Sequence, residues 1–230
     1  MTIKQLKYSL KLVFPYTLPV LTGFFILGIT YGLLMQTKGY GVLWAVLMSA
    51  VAFCGSMQFV AMTLLTTAFD PLQAFLLSFM VNTRHLFYGI AMLKKYQGLG
   101  KLKYFLIYTL CDETFSIVSS VKIPETMDAK TFYFLTSLLD YLYWVLGTFL
   151  GSLLGPFITF NTEGLDFVLT ALFVVLFMEQ MKKKENRVFG LIGISASVCC
   201  LYLFGSASFI IPALILILLS LMIKGGTQCS

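Results

Sequence analysis

Phe53-Cys54-Gly55-Ser56-Met57-Gln58-Phe59 interrupts a long apolar run, and the next apolar run carries Asn82, Arg84 and His85, then Tyr88-Gly89. His85 is the only histidine in the chain. In hydrocarbon, a backbone break strands amide and carbonyl groups, and an arginine at the centre of a span costs about 2.5–3.5 kcal/mol on insertion scales. Polar groups at such depth persist mainly where they line a cavity or a solute path. This stretch therefore reads as part of a passage through a membrane.

Working outward, composition agrees. Hydrophobic residues make up 59% of the 230-residue chain, charged residues 11%, and mean hydropathy is +0.90. A soluble domain carries about 25% charged residues. The expected fold is an all-α polytopic membrane protein of seven or eight hydrophobic segments, one or two of them broken or re-entrant. Those segments fall near 17–36, 41–67, 71–93, 103–121, 131–155, 166–181, 188–204 and 208–223. No linker divides the chain, so residues 1–230 read as one transmembrane domain, with residues 1–16 as a basic cytoplasmic or interfacial lead-in.

In that lead-in, Ile3, Leu6, Leu10 and Val13 recur at helical spacing, with Lys4, Lys7 and Lys11 on another face. This suits either a helix on an anionic surface or a basic tail that sets orientation. The following apolar run from Leu18 to Met35 exceeds a signal-peptide core and lacks a small-residue cleavage site.

The net charge of +6 resides in short loops between apolar runs, which points to topology rather than nucleic acid. Five cysteines, mostly inside apolar runs, show no metal spacing, and no cofactor is expected. One histidine without His-Glu-x-x-His, and no Gly-x-Ser-x-Gly, excludes the familiar zinc and serine hydrolase patterns.

Three basic clusters should face the cytoplasm: Lys4/Lys7/Lys11, Lys94/Lys95/Lys101/Lys103 and Lys182/Lys183/Lys184/Arg187. The loop holding Glu163 and Asp166 should be external. Straight spans cannot satisfy this. The charge bias requires one break in 41–67, expected at Gly55-Ser56, and another near Cys111-Asp112-Glu113. Gly23, Gly28 and Gly32, and again Gly147, Gly151 and Gly155, form stripes that permit close helix approach. They hint at an internal repeat, and the second stripe suits either internal packing or a partner helix.

Several motifs resemble the AzlC-type branched-chain amino acid permeases: Gly28-Ile-Thr-Tyr-Gly32, Gly55-Ser-Met-Gln-Phe59, Asn82-Thr-Arg-His-Leu-Phe-Tyr-Gly89, Asp112-Glu-Thr-Phe115, Trp144-Val-Leu-Gly-Thr-Phe-Leu-Gly151 and Leu165-Asp-Phe-Val-Leu-Thr-Ala-Leu-Phe173. The Asn-x-Arg-His-x-x-Tyr-Gly element is the most specific. Met57 stands where that family usually has a small residue, and Cys111 where it usually has threonine. The resemblance implies an exporter of valine, leucine, isoleucine or methionine in a bacterial cytoplasmic membrane, working with a small AzlD-type membrane partner. A channel or transporter for another small solute, or a subunit without transport of its own, are the alternatives.

For a zwitterionic amino acid, the broken helix at Gly55-Ser56 offers amides around Met57 to Phe59 to a carboxylate. Gln58 and Asn82 can orient it, Arg84 can grip it as a planar fork, and Phe59, Phe87 and Tyr88 can line the aliphatic end. Asp112, Glu113, Asp140 and His85 are candidates for ion pairing or proton uptake. Structural readings stay open beside these: Arg84 as a lock on Asp112 or Glu113, His85 as an interhelical donor, Gln58 as a cap, Asp140 as a packing partner, and Tyr143 and Trp144 as anchors.

The topology is directly testable. In a background without native cysteines, a cysteine placed at Lys183 should be labelled only from the cytoplasmic side; labelling by an impermeant reagent from outside contradicts the two-break arrangement.

Overall fold

The computed structural model describes residues 3–66, 71–124, 126–157, 174, 177–178, 181–182, 184–209, 212–213, 215–217 and 219–220. Every regular element among them is helical. The chain divides into two compact units, Met1–Leu165 and Asp166–Ser230. The Glu163 loop and most of the segments 166–181 and 208–223 lie outside the described residues.

The first unit holds α1 (Ile3–Thr37), α2 (Val42–Ala52), α3 (Gly55–Thr66), α4 (Pro71–Met92), α5 (Leu102–Tyr108), α6 (Asp112–Ser120) and α7 (Ala129–Leu154), closed by a 3-10 turn at Gly155–Phe157. The basic lead-in runs without interruption into the apolar part of α1, through Pro15 and Pro19. In the second unit, α8 (Lys184–Ser208) is regular up to Gly205, where φ is 71°. Within that unit Gly190 lies against Met181 and Phe177.

Among the described residues, three helical stretches, 4–37, 129–157 and 187–205, are long and apolar enough to cross a membrane. Helices of that length and composition are those of a membrane protein. The count of seven or eight passages is not reproduced on that measure among the described residues. One reason is that 41–67 and 103–121 are each split into two short helices, of which 42–52 and 55–65 remain strongly apolar.

Both expected breaks are present, and the first is displaced. The chain leaves α2 at Phe53-Cys54, with Phe53 in the left-handed region at φ 37°, ψ 51°, and Gly55 already belongs to α3. A left-handed bulky residue costs roughly 1–2 kcal/mol. Phe53 is held there by burial and by a ring contact with Tyr141 at 5.0 Å. Gly55 serves packing instead: a Cβ there would stand 3.0 Å from Cη2 of Trp144. The second break passes through Leu110 and an extended Cys111.

The loose ends find partners, as a low-dielectric setting demands. Tyr108 donates to the carbonyls of Ala50 and Val51 at the end of α2, and Tyr141 donates to Ala50 at 3.0 Å. Lys95 donates to the carbonyls of Val118 (2.9 Å) and Ser119 (3.1 Å) at the end of α6, where a cation also suits the helix dipole. At the start of α7, the carboxylate of Asp128 accepts from the Thr131 amide at 2.9 Å, which holds its carboxyl below the usual range.

The two glycine stripes pack on each other. A Cβ at Gly28 would stand 2.9 Å from the Trp144 carbonyl, and one at Gly147 would stand 2.9 Å from that of Phe25. Gly32 and Gly151 lie even closer to the opposing backbones, at Thr148 and Ile29. Gly155 meets the Gln36 side chain at 2.8 Å, while Gly23 faces open space. The α7 stripe is therefore occupied by α1 and does not form a face for a partner helix. Polar side chains add to this seam, with Thr17 and Tyr143 hydroxyls 3.1 Å apart.

Gly151→Val should force α1 and α7 apart because the obstacle is backbone, costing about 1–3 kcal/mol as overpacking. Gly23→Ala should leave stability within about 0.5 kcal/mol of wild type or raise it slightly. Unfolding of purified protein in mixed detergent micelles measures both.

Candidate functional site

The expected site residues resolve into three neighbouring polar clusters built on the two breaks. The first faces α7. Gln58, 1% exposed, accepts from Nε1 of Trp144 at 2.8 Å and donates through Nε2 to Oγ of Ser49 at 2.8 Å. Ser49 in turn lies 2.9 Å from the Thr148 hydroxyl. Ring contacts surround this chain: Tyr31 meets Phe59 edge-on at 5.6 Å and stacks on Trp144 at 6.4 Å. Gln58 thus ties the two halves of the broken helix to each other and to α7. Phe59 is buried in the same aromatic group.

The second cluster joins the breaks. Arg84, on α4, places Nη1 2.6 Å from Oδ2 of Asp112, the first residue of α6. Its Nη2 donates to Oγ of Ser56, in the first turn of α3, at 2.8 Å. One guanidinium therefore bridges the starts of both second half-helices, the ends whose amides lack intrahelical partners. Asp112 and Glu113 both lie in the first turn of α6, where negative charge suits the dipole. Nε of Arg84 and Oδ1 of Asp112, both buried atoms, have no hydrogen-bond partner. The pair is partly exposed, 33% for the arginine and 26% for the aspartate, so it is reachable rather than sealed.

Around this pair, Cys54 donates to Oδ1 of Asn82 at 2.6 Å, joining the first break to α4. Tyr88 stacks on Phe115 at 4.5 Å, and His85 meets the Tyr88 ring edge-on at 6.0 Å. Phe87 is 64% exposed on α4.

The third cluster links the second break to α7. Asp140 is fully buried and accepts from the Thr114 hydroxyl at 2.7 Å through Oδ2, while Oδ1 has no partner. The Cys111 thiol lies 3.1 Å from the same hydroxyl. The cysteine standing where threonine is usual in the resembled family thus still contributes a polar hydrogen. Among the described residues no group of three or more His, Cys, Asp or Glu side chains has metal-site geometry.

Sequence reasoning missed Ser49, Thr148 and Thr114, and read Trp144 as an anchor. Single serines and threonines in apolar helices ordinarily bond to their own backbone, so nothing local distinguished these. Trp144 carried a signal in its burial-prone neighbourhood of glycines, but its partner lies 86 residues away.

A family profile described as "AzlC protein" matches residues 19–158. The chain is 48% identical over 214 residues, 93% of its length and 84% of the relative's, to "Branched-chain amino acid transport protein AzlC" of Bacillus subtilis (strain 168). It is 40% identical to an "Uncharacterized membrane protein" of Haemophilus influenzae, covering 93% of this chain and 88% of that one. A Helicobacter pylori (strain 26695) protein of the same description is 38% identical over 94% of each chain. No solved structure matches.

The Gln58 cluster predicts a coupled stability effect. Gln58→Ala strands the Trp144 N–H, leaves the Ser49 hydroxyl with Thr148 alone, and should cost about 1–3 kcal/mol. Trp144→Phe, which removes the N–H, should be non-additive with it by about 0.5–3 kcal/mol in a double-mutant cycle. Additive costs contradict a direct bond.

Proposed function

The chain belongs to the AzlC family, and from that premise we propose that it is a secondary transporter exporting branched-chain or related apolar amino acids across a bacterial cytoplasmic membrane. The observation that carries the reading is Arg84 bridging the starts of α3 and α6. Residues 1–230 act as one transporter domain with a cytoplasmic N-terminus. The Bacillus subtilis relative's name, a branched-chain amino acid transport protein, supports the substrate class.

In this proposal a substrate carboxylate approaches the paired half-helix starts, where Gly55, Ser56 and Arg84 provide amide, hydroxyl and guanidinium donors. The partial exposure of the pair leaves the guanidinium within reach of a second anion. Asn82 and Tyr88 flank it, and Gln58 with Phe59 fix the helix start from behind. The Asp112 carboxylate, 26% exposed, takes the substrate ammonium.

Proton coupling divides between the neighbouring acids. Asp112 holds Arg84 and stays structural, while Glu113, pointing about 100° away on the helix, exchanges the proton. Asp140, with one free carboxylate oxygen, and His85 are the next residues on that route. A small AzlD-type partner, implied by the family resemblance, does not dock on the glycine face, which α1 occupies.

Export of leucine, valine, isoleucine and methionine from loaded proteoliposomes tests the reading. Arg84→Ala should cut flux about 10- to 100-fold, the worth of one charge-assisted hydrogen bond, with Arg84→Lys restoring little. Glu113→Gln should fold and transport without response to a proton gradient, whereas Asp112→Asn should lower stability. Wild-type flux in Arg84→Ala, or an intact gradient response in Glu113→Gln, overturns the corresponding role.

A further inference from the structure

The connection between α4 and α5 borders a half-open cavity of about 640 Å³ that the transport site does not use. It is lined by Leu93, Lys94, Tyr96, Gln97, Lys103 and Ile107, with Gly98 and Gly100 at the turn. Both glycines have positive φ, 80° and 60°, so the backbone folds back tightly and brings the two ends of the connection together. That brings Lys94 and Lys103, nine positions apart, to one cavity.

The charge there is unbalanced. No acidic residue occurs between Pro71 and Cys111, while Lys94, Lys95, Lys101 and Lys103 fall within ten positions. Lys95 is spent on the end of α6. Among the described residues neither Lys94 nor Lys103 forms an ion pair; the Lys103 ammonium lies 5.1 Å from the Tyr104 ring centroid. Two ammonium groups thus share a cavity with no counter-anion among the described residues, beside an amide side chain able to donate a further hydrogen bond.

Apolar surface adjoins this basic mouth. Ile90, Leu93 and Tyr104 are 65%, 59% and 67% exposed, and Ile107 is 42% exposed. A ligand suited to both features has a phosphate for the lysines and hydrocarbon for the adjoining side chains. The volume suits a small ligand or headgroup. Basic pockets beside membrane helices bind anionic lipid headgroups for this reason.

We propose that the α4–α5 cavity is a binding site for the phosphate headgroup of an anionic phospholipid, gripped by Lys94 and Lys103, with an acyl chain along Leu93 and Ile107. The lipid anchors the connection between α4 and the second broken segment to the membrane surface. It is independent of which solute the protein carries.

Native mass spectrometry of the full-length protein released from vesicles of phosphatidylcholine with or without phosphatidylglycerol tests this. Wild type should retain phosphatidylglycerol over phosphatidylcholine. Lys94→Gln and Lys103→Gln should each lower retention about 5-fold, and the double variant about 25-fold, as expected when each lysine contributes independently near an anionic surface. Lys122→Gln/Lys130→Gln, which removes the same charge elsewhere, should retain lipid as wild type does. Equal retention by both double variants and wild type, or equal loss in both double variants, overturns the site. A second arm adds inorganic phosphate in place of lipid: saturation by phosphate alone, with no gain from acyl chains, overturns the lipid assignment. Unchanged elution of each variant on size exclusion confirms that lost binding is not lost folding.

Discussion

A helix cannot be interrupted in hydrocarbon unless every amide and carbonyl it releases acquires another partner. This protein interrupts two, at Phe53-Cys54 and at Leu110-Cys111, and much of its interior is arranged around the consequences. The outgoing carbonyls are capped by Tyr108 and Tyr141 at one break, and by Lys95 at the distal end of α6. The incoming helix starts are drawn to a single guanidinium, Arg84, through Ser56 and Asp112.

That arrangement separates two mechanical roles. The α1–α7 seam is the firm flank: at Gly28, Gly32, Gly147 and Gly151 its contacts are main chain against main chain, where no side chain can yield. Gln58, Ser49, Thr148 and Trp144 fasten the first break to that seam. The Arg84 side is held by a partly exposed ion pair and short polar bonds. Such contacts can exchange partners with a charged solute at little net cost, because each broken bond is replaced. A firm scaffold on one flank and exchangeable charge on the other is the physical basis of the proposed transport cycle.

Much of this was legible in the chain itself. The breaks followed from two independent signals, polar residues inside apolar runs and a basic-loop bias that unbroken spans could not satisfy. Arg84 with Asp112 was foreseen as one of two alternatives, and the structure forms that pair. Gly55 misled because glycine marks both turns and close contacts; here the turn fell to Phe53, and glycine makes room for an indole. The glycine stripes suggested a repeat, internal packing or a partner, and the structure takes the packing reading, each stripe against the other more than 100 positions away in the chain. Ser49, Thr148 and Thr114 were invisible because a lone hydroxyl in an apolar helix acquires meaning only from a distant partner.

The central claim is that an amino acid binds where the two breaks meet, and Cys54 is placed to report on it, hydrogen-bonded to Asn82 at 2.6 Å. In a variant with Cys111, Cys199, Cys200 and Cys229 replaced by serine, the rate of Cys54 alkylation by a small thiol reagent can be measured with and without leucine. The account predicts that leucine slows alkylation severalfold, that lysine and glutamate do not, and that Arg84→Ala abolishes the protection. An alkylation rate indifferent to leucine, at concentrations that drive transport in the same variant, would contradict it.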